Sequence, residues 1–172
     1  MICEEDRKDS FIARMVEEFF NFLSIYYVRL DRKYCYDFEF SCTKKLKDFG
    51  GIVQIGKGII RVDVKSTIRT DENFHRLLEL INIIKGEHCE SHFYIDLEKN
   101  VVASVVNLNY MDTTPSRDDI DMLLLTVIVL FKAFTPGFSN VAAGIQMPME
   151  AYEDCEDLLD AFQEAVRDKV SF

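Results

Sequence analysis

The chain has 172 residues, of which 48% are hydrophobic and 29% are charged, so it can bury one compact core but is short for two. Acidic residues number 30 against 20 lysines and arginines, which gives a formal net charge of -10. This charge argues against a protein whose affinity comes from neutralising nucleic-acid phosphates, and it disfavours binding to an anionic membrane surface.

The cysteines and the N-terminus indicate a reducing compartment. The 5 cysteines are scattered without a CxxC pair, and the sequence begins MICEEDRKDS, where a secretory signal needs a basic start and an apolar run. The longest apolar run, residues 122–131, is far shorter than the roughly 20 residues that cross a bilayer. We therefore expect a cytoplasmic protein that does not bind or cross a membrane.

A helix rich in phenylalanine is predicted near the N-terminus, over residues 11–23. Its apolar residues recur at helical spacing, and Asp9 or Ser10 is a suitable N-terminal cap. The predicted apolar stripe consists of Phe11, Met15, Phe19, Phe22 and Leu23, supported by Ile12, Val16 and Phe20.

Three strands are predicted after this helix. Aromatic residues occupy every second position from Tyr34 to Phe40, which is the period of a strand. Residues 51–55 and 59–66 predict two more strands, joined by Gly56-Lys57-Gly58, whose glycines permit the positive φ of a tight hairpin turn. This turn lacks the further glycine and the helix start of a phosphate-binding loop.

A second helix and a second hairpin follow. Thr70 or Asp71 is the predicted N-terminal cap of the helix, and Gly86 stands where a left-handed residue would end it. Residues 93–97 and 101–108 predict two antiparallel strands, because the link between them is too short for a parallel crossover. The apolar stripe of the helix is Phe74, Leu77, Leu78, Ile81 and Ile84.

The third predicted helix, residues 118–134, is apolar on nearly every side. Ser116 and Asp119 resemble a capping box at its start, and Pro136-Gly137 is expected to end it. A helix of this kind must be covered on two sides. Its second cover is predicted to be either the C-terminal helix or another copy of the chain.

The C-terminal helix, predicted over residues 149–169, combines an apolar stripe with an acidic face. The acidic face is either an ordinary solvated surface or a docking element for a basic or amphipathic partner. The predicted dimer or partner surface consists of Leu124, Ile128, Phe131, Leu158, Leu159 and Phe162.

One cluster, His88-Cys89-Glu90-Ser91-His92, invites a metal interpretation, because imidazole and thiolate are ligands that zinc prefers. However, it lies past Gly86 in a loop entering a strand, where His88 and His92 do not share a helical face. No G-x-S-x-G pattern of a nucleophile elbow occurs either. We therefore predict no metal, no cofactor and no catalytic residue.

Together these elements predict an α+β fold with an antiparallel sheet of about five strands and helices packed on one face. The order is α-β-β-β-α-β-β-α over residues 1–140. Residues 141–172 add a loop and the acidic helix, packed on the same domain or on a partner.

Three segments within residues 74–134 carry a resemblance to a known family: LLELINIIKG, SHFYIDLEKNVVASVVNLNY and RDDIDMLLLTVIVLFKAF. With the order of elements, they resemble the YbjN family of bacterial sensory transduction regulators, which share the fold of type III secretion chaperones. The resemblance implies a cytosolic, non-enzymatic homodimer that binds other polypeptides or acts in regulation. The C-terminal helix is extra to the family's compact pattern.

The predicted function is therefore a non-enzymatic protein-binding or regulatory module with chaperone-like recognition of another polypeptide. One alternative is an immunity-type inhibitor whose acidic face blocks the basic site of a toxin. Another is a small metal-dependent hydrolase that uses His88, Cys89 and His92.

Overall fold

A computed structural model describes residues 4–40, 49–70, 73–88 and 92–170. The described chain forms four helices and six strands. In chain order these are α1 (Glu4–Phe22), β1 (Tyr26–Arg29), β2 (Cys35–Phe40), β3 (Phe49–Gly56), β4 (Ile59–Arg69), α2 (Phe74–Glu87), β5 (Phe93–Asp96), β6 (Val101–Asn109), α3 (Arg117–Ala142) and α4 (Pro148–Val170).

The strands form one sheet in the order β1-β2-β3-β4-β6-β5. The pairs β1–β2, β2–β3 and β5–β6 are antiparallel. The predicted α+β class and antiparallel sheet are therefore confirmed. The sheet has one strand more than predicted, because the sequence interpretation missed β1.

The chain divides into two compact units, each made of separate segments. Unit 1 comprises Met1–Lys65 and Val105–Leu125, and unit 2 comprises Ser66–Ser104 and Thr126–Phe172. The division predicted from the sequence, residues 1–140 and 141–172, is a different one and stays a prediction.

In unit 1, α1 covers one face of the sheet through contacts with β1 and β3. Its buried stripe is Ile12, Met15, Val16, Phe19 and Phe20. Phe11 and Phe22 were expected in this stripe, but both are exposed, and Phe22 retains 80% of its accessible surface. The helix also begins at Glu4, so the predicted cap Asp9 lies inside it.

The strands β2, β3 and β4 alternate between buried and accessible residues, as predicted. The ring of Phe38 lies 5.0 Å from that of Phe20, and the rings of Phe40 and Phe49 stack at 4.8 Å. The β3–β4 turn places Lys57 at φ 54° and Gly58 at φ 73°, which confirms the predicted hairpin turn.

In unit 2, α2 contacts both β5 and α4. It buries Leu77, Leu80, Ile81 and Ile84. The predicted stop at Gly86 is wrong, because the helix continues to Glu87 and the backbone N–H of His88 donates to the carbonyl of Ile84 at 2.8 Å. The N-terminal cap position is Asn73, and the alternative cap Asp71 lies outside the described residues.

The helix α3 is longer than predicted. Its capping box is present: the Ser116 hydroxyl donates to Asp119 Oδ2 at 2.7 Å, and the Asp119 N–H donates back to Ser116 Oγ at 3.2 Å. The predicted stop at Pro136 is wrong, because this residue lies inside the helix. Next to it, the hydroxyl of Thr135 donates to the Phe131 carbonyl at 2.6 Å.

By length and composition, α3 is the one described helix that could cross a membrane, with a mean hydropathy of 1.8 in its most apolar window. Half of that window is buried inside the structure, a pattern that the core helix of a soluble protein also shows.

Candidate protein-binding surface on the C-terminal helix

The helix α4 packs within its own chain, against α2. Its buried residues Ala151, Cys155 and Leu159 recur every four positions, which places them on one side of the helix. Of the apolar residues predicted on this helix, Cys155 and Leu159 are therefore packed inside unit 2.

Gly137 allows α4 to approach α3 closely. A Cβ atom at this position would lie 2.8 Å from the Sγ of Cys155 and 3.1 Å from the carbonyl oxygen of Ala151. The C-terminal helix thus supplies the second cover of α3 in unit 2, which was one of the two covers expected. Burial raises the pKa of the Cys155 thiol to about 11, so Cys155 stays a neutral buried side chain at physiological pH.

An aromatic contact and a hydrogen bond hold the first half of α4. The ring of Tyr152 stacks on that of Phe134 at 6.2 Å, and the Nε2 of His88 lies 2.6 Å from the Oε1 of Glu156. Burial and the neighbouring Glu156 carboxylate raise the pKa of Tyr152 to about 12.

Side-chain amides connect the end of α3 to the start of α4. Asn140 Nδ2 donates to Gln146 Oε1 at 2.8 Å, and Gln146 Nε2 donates to Asp154 Oδ2 at 2.6 Å. Together with the buried stripe, these contacts order α4 without a second chain.

The outward side of α4 is acidic with an apolar margin. Leu158 and Phe162 retain 40% and 36% of their accessible surface and lie one helical turn apart. Asp154 lies one turn before Leu158, Asp157 is the residue next to it, and both are exposed. We call Asp154, Asp157, Leu158 and Phe162 the α4 face.

The acidic character of α4 extends beyond this face. From Glu150 to Glu164 the sequence contains no lysine or arginine. The acidic residues of this stretch are Glu150, Glu153, Asp154, Glu156, Asp157, Asp160 and Glu164.

The structure separates the six residues predicted to form a dimer or partner surface. In unit 2, Ile128, Phe131 and Leu159 are buried, and so is Leu124 in unit 1. Leu158 and Phe162 are the two that stay accessible. A partner surface built from the predicted set stays a prediction, and it now depends on these two side chains.

The sequence did not reveal what α4 rests on. In the structure Tyr152 contacts Phe134 and Glu156 contacts His88, and the sequence analysis predicted neither contact. The i, i+4 spacing of Tyr152 and Glu156 was the available signal that they share one side of the helix.

His88 is bound to Glu156, and His92 is exposed just before β5. Cys89, the third residue of the hypothetical metal site, lies outside the described residues. Within residues 4–40, 49–70, 73–88 and 92–170, no three His, Cys, Asp or Glu side chains are grouped as metal ligands.

No protein-family model matches the chain, and no curated protein sequence matches it. The solved structures include a match to the crystal structure of YbjN from E. coli, which is described as a proposed transcription regulator. The two chains are 11% identical over 69% of this chain and 92% of YbjN, with a TM-score of 0.44. In this comparison the chain is similar to the protein YbjN. The family named after this protein is the one that the sequence resembles.

Proposed function

We propose that this chain is a non-enzymatic, cytoplasmic protein-binding module that recognises a basic amphipathic helix of another polypeptide through the α4 face. The observation that carries this proposal is the exposure of Leu158 and Phe162 beside acidic residues, on a helix that the chain's own core holds in place.

The two kinds of side chain on the α4 face have different roles. Burying the remaining apolar surface of Leu158 and Phe162 would contribute about 25 cal/mol per Å². The carboxylates attract a basic partner and reject an acidic one, which affects specificity and association rate more than affinity. Recognition of this kind would make the chain a regulator or a chaperone of its partner.

The test is binding of a fluorescent amphipathic helical peptide made of leucine and lysine, with a leucine and glutamate peptide as the reference. We expect the lysine peptide to bind and Leu158→Ser or Phe162→Ser to weaken it about tenfold, a loss of about 1.4 kcal/mol. Leu78→Ser is the matched control, because Leu78 on α2 is 39% exposed. Added salt should weaken binding, since it screens exposed charges.

Equal binding of the two peptides, or equal effects of the Leu158 and Leu78 substitutions, would overturn the proposal. The immunity-type alternative predicts a single natural partner that dissociates very slowly. Affinity purification from the native cell followed by dissociation kinetics distinguishes it from a module with several weak partners.

Homodimerisation is a separate part of the proposal. A dimer built on Leu158 and Phe162 would bring two acidic faces together, so we expect its population to rise with ionic strength as repulsion is screened. Sedimentation velocity at low and high salt measures this. Phe162→Glu is expected to prevent the dimer, and a monomer at every salt and protein concentration would refute it.

A further inference from the structure

The strand β1 lies at one end of the sheet order, in unit 1. It pairs with β2 on one side, and no other described strand pairs with it. Such an edge exposes backbone donors and acceptors that can pair with another chain.

The register identifies which backbone groups lie on this edge. Tyr26 is opposite Glu39 and Val28 is opposite Asp37, and the N–H of Leu30 donates to the carbonyl of Cys35 at 2.9 Å. Hydrogen-bonded pairs recur every second residue in an antiparallel ladder, so Tyr26 and Val28 bond to β2. The N–H and C=O groups of Tyr27 and Arg29 therefore point to the outer edge.

The side chains of Tyr27 and Arg29 fix β1 on α1. The ring of Tyr27 lies 5.4 Å from that of Phe20. Arg29 Nη2 lies 2.8 Å from Glu17 Oε1, and it donates to the hydroxyl of Tyr36 at 3.1 Å. The edge is thus ordered before any partner arrives, which reduces the entropic cost of binding.

Natural sheets usually protect their edges with charged side chains, prolines or bulges. Arg29 is the charged residue of β1, and its guanidinium is directed to Glu17 and Tyr36. The strand contains no proline. On the opposite face of β1, Val28 is 45% exposed, and Asp37 beside it on β2 is exposed too.

We infer that the outer edge of β1 receives an extended segment of another polypeptide, which adds to the sheet as a further strand. Backbone hydrogen bonds from Tyr27 and Arg29 provide the recognition, and Val28 with Asp37 favours a segment of alternating apolar and basic residues. The site uses a different element and a different mode of recognition from the α4 face.

A second copy of the chain is a poorer occupant of this edge. A stable interface needs about 800 Å² per partner, which a strand of 4 residues does not supply by itself. Two chains that each carry a net charge of -10 also repel one another, whereas a basic segment is attracted.

The experiment titrates the full ¹⁵N-labelled chain with a short peptide of alternating valine and lysine. Two further peptides keep every side chain but carry N-methyl groups on the valines only or on the lysines only. Strand addition uses the amides of one set, so we expect one methylated peptide to bind at least about tenfold more weakly and the other to bind like the parent. The amide signals of Tyr27 and Arg29 should shift.

Substitutions test the location of the site. Val28→Lys should weaken binding of the parent peptide, and Leu97→Lys should not, because Leu97 is an exposed residue outside unit 1. Leu158→Ser should also leave binding unchanged, so failure here and failure of the α4 proposal are distinguishable.

Three outcomes would overturn the inference. The first is absence of binding at millimolar peptide, and the second is equal affinity for both methylated peptides. The third is a shift of the Tyr27 and Arg29 signals with protein concentration alone, which would assign the edge to a second copy.

Discussion

Gly137 and Gly86 both lie in helices, but their surroundings differ. A Cβ on Gly137 would lie 2.8 Å from Cys155 Sγ, and a Cβ on Gly86 would meet no atom within 4 Å. Gly137→Ala should therefore lower the free energy of unfolding by about 1–3 kcal/mol through overpacking. Gly86→Ala should raise it by up to about 1 kcal/mol through helix propensity. Urea unfolding measures both, and shifts of the same sign would contradict the close α3–α4 contact.

Tyr110 is the hydrogen-bond partner of a buried carboxylate in unit 1. Its hydroxyl donates to Asp9 Oδ1 at 2.5 Å, and Asp9 is 7% exposed. Tyr110→Phe leaves this carboxylate without the hydroxyl, and we expect a loss of about 1–3 kcal/mol in unfolding free energy. Tyr34→Phe is the control, because the Tyr34 hydroxyl lies 3.4 Å from its acceptor, the Asp6 carbonyl oxygen.

A double-variant cycle separates this hydrogen bond from general packing. Adding Asp9→Leu to Tyr110→Phe should cost less than the sum of the two single changes, because both polar partners are then removed. Strict additivity would show that the two side chains do not interact.

At the scale of elements, the packing of α4 gives two neighbouring leucines different burial. Leu159 belongs to the buried stripe and is 2% exposed, whereas Leu158 lies outside this stripe and is 40% exposed. Leu159→Ala should destabilise the chain by about 2–5 kcal/mol, and Leu158→Ala by less than about 1 kcal/mol. Thermal or urea unfolding compares the pair. A larger effect at Leu158 would mean that α4 presents its other side to the core.

The elements with a clear local period or a specific turn were predictable from the sequence. The alternating aromatic residues of β2 and the Lys57-Gly58 turn have the predicted form. The Ser116–Asp119 capping box also starts α3 as expected. Each of these signals depends on residues close together in the chain.

The features that the sequence analysis missed share a different cause. The strand β1 has 4 residues and no alternation of its own, and its Tyr27 and Arg29 are placed by contacts with α1. Likewise α3 continues through Pro136, in the region where Gly137 approaches Cys155 of α4. Tertiary packing overrode a local stop signal here. The burial of Leu159 could be predicted only by knowing that α4 packs within its own chain.

At the scale of the whole molecule, burial makes the chain sensitive to alkali. It raises the pKa of Tyr36 to about 12, that of Tyr152 to about 12 and that of the Cys155 thiol to about 11. Ordinary tyrosines and thiols titrate near 10.0 and 9.0. The folded chain therefore holds these protons more tightly than the unfolded chain does.

The sign of the pH dependence follows from these shifts. Their contribution to stability is complete below about pH 9, where both states are protonated, and it is lost as the pH rises through about 11 to 12. We expect the urea midpoint to fall steadily above about pH 9, and the 295 nm absorbance to show Tyr36 and Tyr152 ionising only as the chain unfolds. In urea these two phenols should instead titrate near the ordinary pKa of 10.0. A midpoint that stays constant to about pH 11 would mean that these phenols and this thiol are not buried as the structure has them.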